Sequence, residues 1–172
     1  MQKIQSYFLG QHIQSNSSEA FSLYEKSHFG EKSDGKIRYS FPEALYLVQK
    51  GKMEIISKSR RILHKDLTKK IQKFDKRIQI KYPVFRDLRE KGYIVKTALK
   101  FGADFRVYEK EKKISEVHAK WIVFVDSETQ KLTWHEFSAK NRVAHSTKKN
   151  LLLAIVDEES GITYYEVRWV KP

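Results

Sequence analysis

The sequence predicts an α/β protein in two parts, a small N-terminal α+β part and a C-terminal part with a mixed sheet. Three observations carry this prediction. Strand-like and helix-like segments alternate in the second half, and in the strand predicted at 151–157 the run 151–156 is continuously apolar, as in a strand covered on both faces. The pattern also shifts near residue 80. We therefore expect a small N-terminal α/β domain at 1–80 and a C-terminal domain at 81–172.

In the first half, capping residues mark the helices. One helix begins at Ser17 or Ser18 as N-cap and ends near Gly30, and a second begins at Pro42 and ends near Gly51. A third, basic helix is predicted over 65–77 because apolar residues recur at three- and four-residue intervals. Strands are predicted at 4–9 and 53–57.

The second half is predicted to begin with a helix and to continue with strands joined by one further helix. The predicted elements are a helix at 82–91, strands at 93–99 and 103–108, a charged loop at 109–116, a strand at 119–126, a helix at 134–147, and strands at 151–157 and 162–170 around a turn.

Composition excludes several classes of protein. The chain of 172 residues contains no cysteine, so disulfides, zinc–thiolate sites, iron–sulfur clusters and thiol nucleophiles are excluded. No apolar run approaches the ~20 residues that a membrane helix requires, and the first residues lack the apolar stretch of a signal peptide. We therefore expect a cytosolic protein without a membrane partner and without a cofactor.

The charge of the chain is strongly positive. Its 34 lysines and arginines outnumber its 21 acidic residues, which gives a formal net charge of +13. Such an excess attracts polyanions, and nucleic acid is the favoured partner. An acidic protein partner is the main alternative, and a lysine-rich thermophile composition is the other, although there lysine and glutamate rise together.

Topology brings three polar residues to one edge of the predicted sheet. The strand at 119–126, the helix at 134–147 and the strand at 151–157 form a βαβ unit, whose two strands should be parallel. His118 and Lys149 each directly precede one of these strands. Tyr108 ends the preceding strand, so a hairpin pairing would bring it to the same edge.

These residue types suit the cleavage of an RNA phosphodiester without a metal. Histidine titrates near neutral pH and is the obvious acid, and lysine offers a positive charge for the phosphate. Tyrosine is a poor base at its usual pKa near 10, which a nearby ammonium would lower. Each residue also has an ordinary interpretation: Tyr108 as a strand aromatic, His118 as a solvated loop residue, and Lys149 as one basic residue among 34.

Two groups of residues are alternative candidates for a metal site. The turn that contains Asp157, Glu158 and Glu159 could hold a cation, but adjacent carboxylates at a hairpin have poor ligand geometry. A metal-dependent nuclease core could be drawn from Asp104, Glu116 and Lys120, but the spacing of the last two fits poorly. No metal is therefore expected.

Several segments of the chain resemble the signature motifs of archaeal tRNA-splicing endonucleases, also called tRNA-intron endonucleases. The C-terminal segments are the specific ones, and they match in order and interval: 102–108, 117–121, 142–149 and 154–157. Weaker resemblance covers 23–30 and 42–47 in the first half. Thr147 departs from the family, which often has an aliphatic residue there.

The resemblance implies a catalytic subunit in single-repeat form, with a C-terminal catalytic nuclease domain. The family cuts precursor tRNA at exon–intron junctions in a bulge–helix–bulge, without a metal, and leaves 2′,3′-cyclic phosphate and 5′-hydroxyl ends. Its triad falls on Tyr108 as general base, His118 as general acid and Lys149 as transition-state stabiliser. Two RNA-binding arginines fall on Arg142 and Arg168.

The family also implies an assembly. Its enzymes work as four repeats, so a single-repeat chain implies a homotetramer, or a heterotetramer with a homologous structural subunit. The acidic loop that contacts a partner subunit would be Asp157, Glu158 and Glu159. The alternative function is a non-catalytic RNA-binding or structural subunit of such an assembly.

Overall fold

The computed structural model describes residues 2–109 and 118–170. The chain divides into two units, Met1–Tyr82 and Pro83–Pro172. Most of the charged loop predicted at 109–116 lies outside the described residues, and of that loop only Glu109 is described. No helix among the described residues is long and apolar enough to cross a membrane.

The N-terminal unit contains six strands and three helices along its described residues. They are β1 (Ile4–Phe8), β2 (Ile13–Ser15), α1 (Ser18–Ser27), β3 (Glu31–Ser33), β4 (Lys36–Tyr39), α2 (Phe41–Gln49), β5 (Met53–Ser57), β6 (Arg60–Ile62) and α3 (His64–Gln72). The strands form one sheet in the order β3-β4-β2-β1-β5-β6. β1 and β5 pair in parallel, and the other neighbours are antiparallel.

The first helix begins at the predicted N-cap, whereas the second begins at a capping box that was not predicted. The hydroxyl of Ser17 accepts the backbone N–H of Ala20 at the start of α1. At the start of α2, Ser40 and Glu43 form a capping box, in which each side chain accepts a backbone N–H of the other residue. Glu43 is only 4% exposed and also accepts the N–H of Gly30, so this carboxylate joins α2 to the preceding loop.

Two helix boundaries differ from the prediction by four residues or more. The helix predicted at 65–77 ends at Gln72, because the Asp75 carboxylate accepts the N–H of Arg77 at 3.0 Å and so turns the chain. The helix that was predicted to begin at residue 82 begins instead at Ile78. The short strands β2, β3, β4 and β6 were not predicted, because segments of three or four residues are too short to show a period.

The C-terminal unit is built on a five-stranded mixed sheet. Its elements, with the helix that leads into it, are α4 (Ile78–Glu90), β7 (Ile94–Ala98), β8 (Ala103–Tyr108), β9 (Trp121–Ser127), α5 (Trp134–Ser146), β10 (Asn150–Val156) and β11 (Ile162–Val167). The strand order is β11-β10-β9-β8-β7. β9 and β10 are parallel and all other neighbours are antiparallel, so the predicted α/β class and βαβ unit are confirmed.

Both faces of this sheet are covered near its centre. On one face, Ala144 of α5 packs into a cluster with Ile122, Phe124, Leu151 and Leu153. On the other, the ring of Phe85 lies 5.9 Å from that of Phe105. The continuous apolar run of β10 is therefore explained by burial on both sides.

β11 is an edge strand and is shorter than predicted. It ends at Val167, whereas the prediction continued to residue 170. Beyond it, Trp169 is 61% exposed and Val170 is 74% exposed. The segment that follows β11 thus presents apolar surface to solvent.

Candidate active site

The ends of three neighbouring strands meet at one edge of the C-terminal sheet. The N–H of Lys120 donates to the carbonyl of Val107 at 2.8 Å, and the N–H of Asn150 donates to the carbonyl of Lys120 at 3.1 Å. The end of β8 therefore lies beside the start of β9, and the start of β9 beside that of β10. Since adjacent strands are about 4.8 Å apart, the backbones of Tyr108 and Lys149 lie about two strand spacings from each other.

Tyr108 and His118 lie on either side of the segment 110–117, which is outside the described residues. Tyr108 is the last residue of β8 and is 7% exposed. His118 lies three residues before the start of β9 and is exposed. The backbone pairing at Val107 and Lys120 brings both residues to the edge that topology predicted.

Lys149 is positioned by the way α5 ends. The N–H of Lys149 donates to the carbonyl of Ala144, and the N–H of Lys148 donates to that of His145, which together form a Schellman motif. Lys148 takes the left-handed position of this motif with φ 55°, where glycine is usual. The Thr147 hydroxyl donates toward the carbonyls of Val143 and Ala144. Thr147 thus reinforces the helix end.

The environment of Lys149 disfavours its charged form. Partial burial lowers its pKa below the usual value, and the nearby charge of Arg106 lowers it further. The Nζ donates to the carbonyl of Thr147 at 2.6 Å, which holds the ammonium in place. A partly desolvated cation at a strand end interacts more strongly with an anion than an exposed one does.

Arg106 is a residue that the sequence prediction missed. It lies two residues before Tyr108 on β8, so both side chains leave the same face of the sheet. It is half-buried, and its charge acts on Lys149. The period of two along β8 could have identified it, because any residue two positions from a strand-end candidate shares its face.

A basic pocket of about 250 Å³ adjoins Lys149. It lies between the end of α5 and the segment after β11, and its lining residues are Asn141, His145, Lys148, Lys149, Asn150, Val167, Arg168 and Trp169. The rings of His145 and Trp169 are in edge contact at 4.2 Å. The structure therefore brings Arg168 to the same pocket as Lys149, whereas Arg142, exposed on α5, does not line it.

Glu166 organises the side of the site next to β11. Its carboxylate accepts hydrogen bonds from Arg168 Nε at 2.8 Å, Asn150 Nδ2 at 3.0 Å and Trp121 Nε1 at 3.2 Å. The bond from Arg168, followed by that from Trp121, holds the pKa of Glu166 below its ordinary value. Glu166 thus ties Arg168 to the first residues of β9 and β10. The sequence prediction missed Glu166, although its position two residues before Arg168 places both residues on the same face of an extended chain.

The carboxylates of the acidic turn after β10 differ in their contacts. Asp157 accepts the N–H of Gly161 at 2.6 Å and so closes the turn. A Cβ at Gly161 would displace the Asp157 carboxylate from this position. Glu158 and Glu159 are exposed.

Two residues of the alternative metal site have structural contacts of their own. The Asp104 carboxylate accepts the N–H of Val125 at 2.8 Å. Lys120 forms an ion pair with Glu109 at 3.3 Å, and its Nζ lies 4.4 Å from the centre of the Trp121 ring. Glu116, the third member, lies outside the described residues.

These features define a class: a basic α/β protein in two units, with groups suited to phosphodiester chemistry at one sheet edge. The family model for the tRNA intron endonuclease N-terminal domain matches residues 4–68. The model for the tRNA intron endonuclease catalytic C-terminal domain matches residues 78–164.

Curated relatives agree with these matches. The chain is 40% identical over 169 residues to the tRNA-splicing endonuclease of Pyrococcus horikoshii, covering 98% of this chain and 97% of that one. It is 40% identical to that of Thermococcus gammatolerans, with 96% and 97% covered. It is 43% identical over 136 residues to that of Nanoarchaeum equitans, with 76% and 87% covered.

The chain belongs to the tRNA intron endonuclease family. Both of the family's domains are present, and two of these relatives align along nearly the whole chain. The resemblance inferred from the sequence motifs is thereby confirmed, as is the prediction of an endoribonuclease.

Proposed function

We propose that this chain cuts precursor tRNA at exon–intron junctions presented in a bulge–helix–bulge. The reaction needs no metal and leaves a 2′,3′-cyclic phosphate and a 5′-hydroxyl. The cut is made by the C-terminal domain, at 81–172, and the smaller domain at 1–80 supports it. The observation that carries the proposal is the meeting of the ends of β8, β9 and β10 at one edge, beside family motifs that match in order.

The proposed reaction is a transesterification within the RNA. Tyr108 takes the proton of the ribose 2′-hydroxyl, whose oxygen forms a bond to the adjacent phosphorus. The bond from phosphorus to the 5′-oxygen breaks, and His118 gives a proton to that oxygen. Lys149 stabilises the negative charge on the phosphate between these events, which its partial burial favours.

Arg142 and Arg168 are proposed to hold the RNA near the cut. A guanidinium can stack on an unpaired base through its flat face. Arg168 is held at the pocket beside Lys149 by its bond to Glu166, which supports this role. Arg142 is exposed on α5 and free to reach an RNA bound to another subunit.

The enzyme is proposed to act as a homotetramer, or as a heterotetramer with a homologous structural subunit. The open edge of β11 and the exposed side chains of Tyr165, Trp169 and Val170 support association through the last strand. Asp157, Glu158 and Glu159 would form the contact loop, in which the exposed glutamates meet the partner and Asp157 shapes the turn. Sedimentation of the purified chain at four times 20.4 kDa would support the homotetramer.

Cleavage of an intron-containing precursor tRNA in EDTA tests the function. We expect cleavage by the unmodified protein, and a fall of about 10²–10⁴-fold in the rate for His118→Ala with RNA binding retained. His135→Ala removes an exposed histidine of α5 and serves as the matched control. An unchanged rate for His118→Ala would refute the assignment.

If the pure chain binds the RNA but never cuts it, with or without a homologous subunit, the non-catalytic alternative is correct. Products that lack a 2′,3′-cyclic phosphate would contradict the proposed transesterification. Analysis of the RNA ends therefore accompanies the rate measurement.

A further inference from the structure

The positive charge of the chain is concentrated in one part of the N-terminal unit. Between residues 57 and 77 there are nine lysines and arginines against two aspartates, a net charge of +7 out of +13 for the whole chain. These residues lie on the hairpin of β5 and β6, on helix α3 and on the segment at 73–77 that follows it. The candidate active site uses none of them.

Six of these cations form what we call the basic surface: Lys58, Arg60, Lys65, Lys69, Lys73 and Lys76. All six are exposed, and none pairs with a carboxylate among residues 2–109 and 118–170. Nearby cations differ, since Arg61 pairs with Glu54 and Lys81 pairs with Asp75. The basic surface therefore keeps its full charge toward solvent.

Lys65 and Lys69 of α3 lie along one stripe with Lys73, which caps the end of the helix. Leu67 and Ile71 are fully buried, which turns Lys65, Lys69 and Lys73 to the opposite, solvent side. Their spacing of four residues places successive ammonium groups about 6 Å apart along the axis. Like charges at this spacing destabilise a helix, so an isolated protein gains nothing from the stripe.

The hairpin and the helix form one continuous surface. Lys70 of α3 donates from Nζ to the Ser57 hydroxyl at 2.6 Å, and Ser57 pairs with Arg60 across the hairpin. The two residues of the turn, Lys58 and Ser59, both have positive φ, which gives the tight turn that projects Lys58. The stripe on α3 is therefore continued by the cations at the hairpin tip.

A simpler explanation is that charges on the edge strand β6 prevent aggregation, or that the surface is lysine-rich for stability. Charges of both signs protect an edge strand equally well, and on thermophile surfaces lysine is accompanied by glutamate. A single-sign stripe with almost no acid instead complements a polyanion with regularly spaced charges.

We propose that the basic surface binds the phosphate backbone of an RNA helix. The identification of the polyanion as RNA rests on the proposed function. The exposed lysines make no base-specific contact, so binding is independent of sequence and depends steeply on salt. The surface thus supplies affinity for the body of the substrate, whereas the C-terminal edge supplies chemistry.

The test compares two triple variants with the same change in charge. Lys65→Gln, Lys69→Gln and Lys73→Gln together remove the stripe and retain good helix formers. Lys26→Gln, Lys36→Gln and Lys52→Gln remove three exposed lysines of the same unit outside the basic surface. The dissociation constant for an intron-containing precursor tRNA is measured in EDTA over a range of KCl concentrations.

For the stripe variant we expect affinity to fall about tenfold to a hundredfold at 0.1 M KCl, and the salt slope to become less steep by about two to three units. The control variant should change affinity by less than about threefold. Equal affinities and salt slopes for the two variants would overturn the proposal. That result is the one expected if the basic surface binds an acidic protein and not RNA.

A second variant, Lys58→Gln with Arg60→Gln, tests the hairpin without altering α3. It should also weaken binding and lower the slope, and an unchanged slope would exclude the hairpin from the surface. Thermal unfolding of each variant shows that the fold is retained.

The rate of cutting of fully bound RNA separates this proposal from the proposed function. The stripe variant at saturating protein should cut at the unmodified rate. If no protein cuts but the stripe variant still loses affinity, the basic surface stands and the proposed function fails.

Discussion

The two units of the chain present positive charge in different ways. On the N-terminal unit, the lysines of the basic surface are exposed and have no carboxylate partner among the described residues. On the C-terminal unit, Lys149 is held by the carbonyl of Thr147, and Arg168 is held by Glu166. Exposed charges attract a polyanion additively and are screened by salt, whereas a held, partly buried charge acts at one fixed point.

The largest effect that separates the two units should come from Lys149. We expect Lys149→Met to slow the cutting of bound precursor tRNA by about 10²–10³-fold, because the transition state loses a positioned charge. The salt slope of binding should change by less than one unit, unlike that of the stripe variant.

Lys131→Met, which removes an exposed lysine before α5, is the control for this experiment. Single-turnover rates and binding isotherms are measured for both proteins. If Lys149→Met cuts at the rate of the control, the proposed role of Lys149 as a positioned charge is wrong.

A smaller effect is expected at Glu166, which holds three donors at once. Glu166→Ala should lower the free energy of unfolding by about 0.5–1.5 kcal/mol, because Arg168, Asn150 and Trp121 lose their common acceptor at a largely exposed site. Glu166→Gln retains one acceptor oxygen and should cost less. Denaturant unfolding at neutral pH measures both.

The pH dependence of these variants follows from the lowered pKa of Glu166. A carboxylate whose pKa is lower in the folded state contributes stability above its ordinary pKa, and this contribution is lost as the pH falls through the folded value. Between about pH 6 and about pH 3, the Gln variant should therefore lose less stability than the unmodified protein. Identical acid profiles would show that Glu166 is not held in this way.

The smallest expected effects come from replacing residues with strained backbone. Each unit contains such a residue. Lys148 ends α5 with φ 55°, and Ser59 lies in the β5–β6 turn with φ 63°. Because glycine adopts this conformation without steric cost, Lys148→Gly and Ser59→Gly should each stabilise the protein by about 0.3–1 kcal/mol.

Ser138→Gly, at an exposed position inside α5, is the control for strain and should destabilise by about 0.5–1 kcal/mol. Denaturation midpoints rank the three variants. A loss of stability at both Lys148 and Ser59 would mean that their side chains contribute more than their backbone costs.

The sequence predicted the C-terminal unit better than the N-terminal one, for reasons of length. β10 and α5 are long enough to show a period, and Thr133 and Glu136 begin α5 with a capping box. β3 and β6 have three residues each and are defined by pairing with neighbours that lie elsewhere in the sequence. A pattern within one segment cannot reveal such pairing.

In the candidate site, too, the sequence predicted what depends on one segment and missed what depends on pairing between segments. Strand ends could be predicted from the order of elements, which gave Tyr108, His118 and Lys149. The cross-strand partners could not: Arg106 and Glu166 matter through their distance to Lys149 and Arg168, and that distance depends on register. Register is set by the folded sheet as a whole.

Trp169 offers an optical view of this site. Its indole is 61% exposed, touches His145 and lines the pocket with Lys149 and Arg168. Of the other two tryptophans, Trp121 is buried and Trp134 lies at the far end of α5. Since nucleobases that stack on indole quench its emission, a protein with phenylalanine at 121 and 134 would carry its own fluorescent reporter of RNA arrival, without any attached dye.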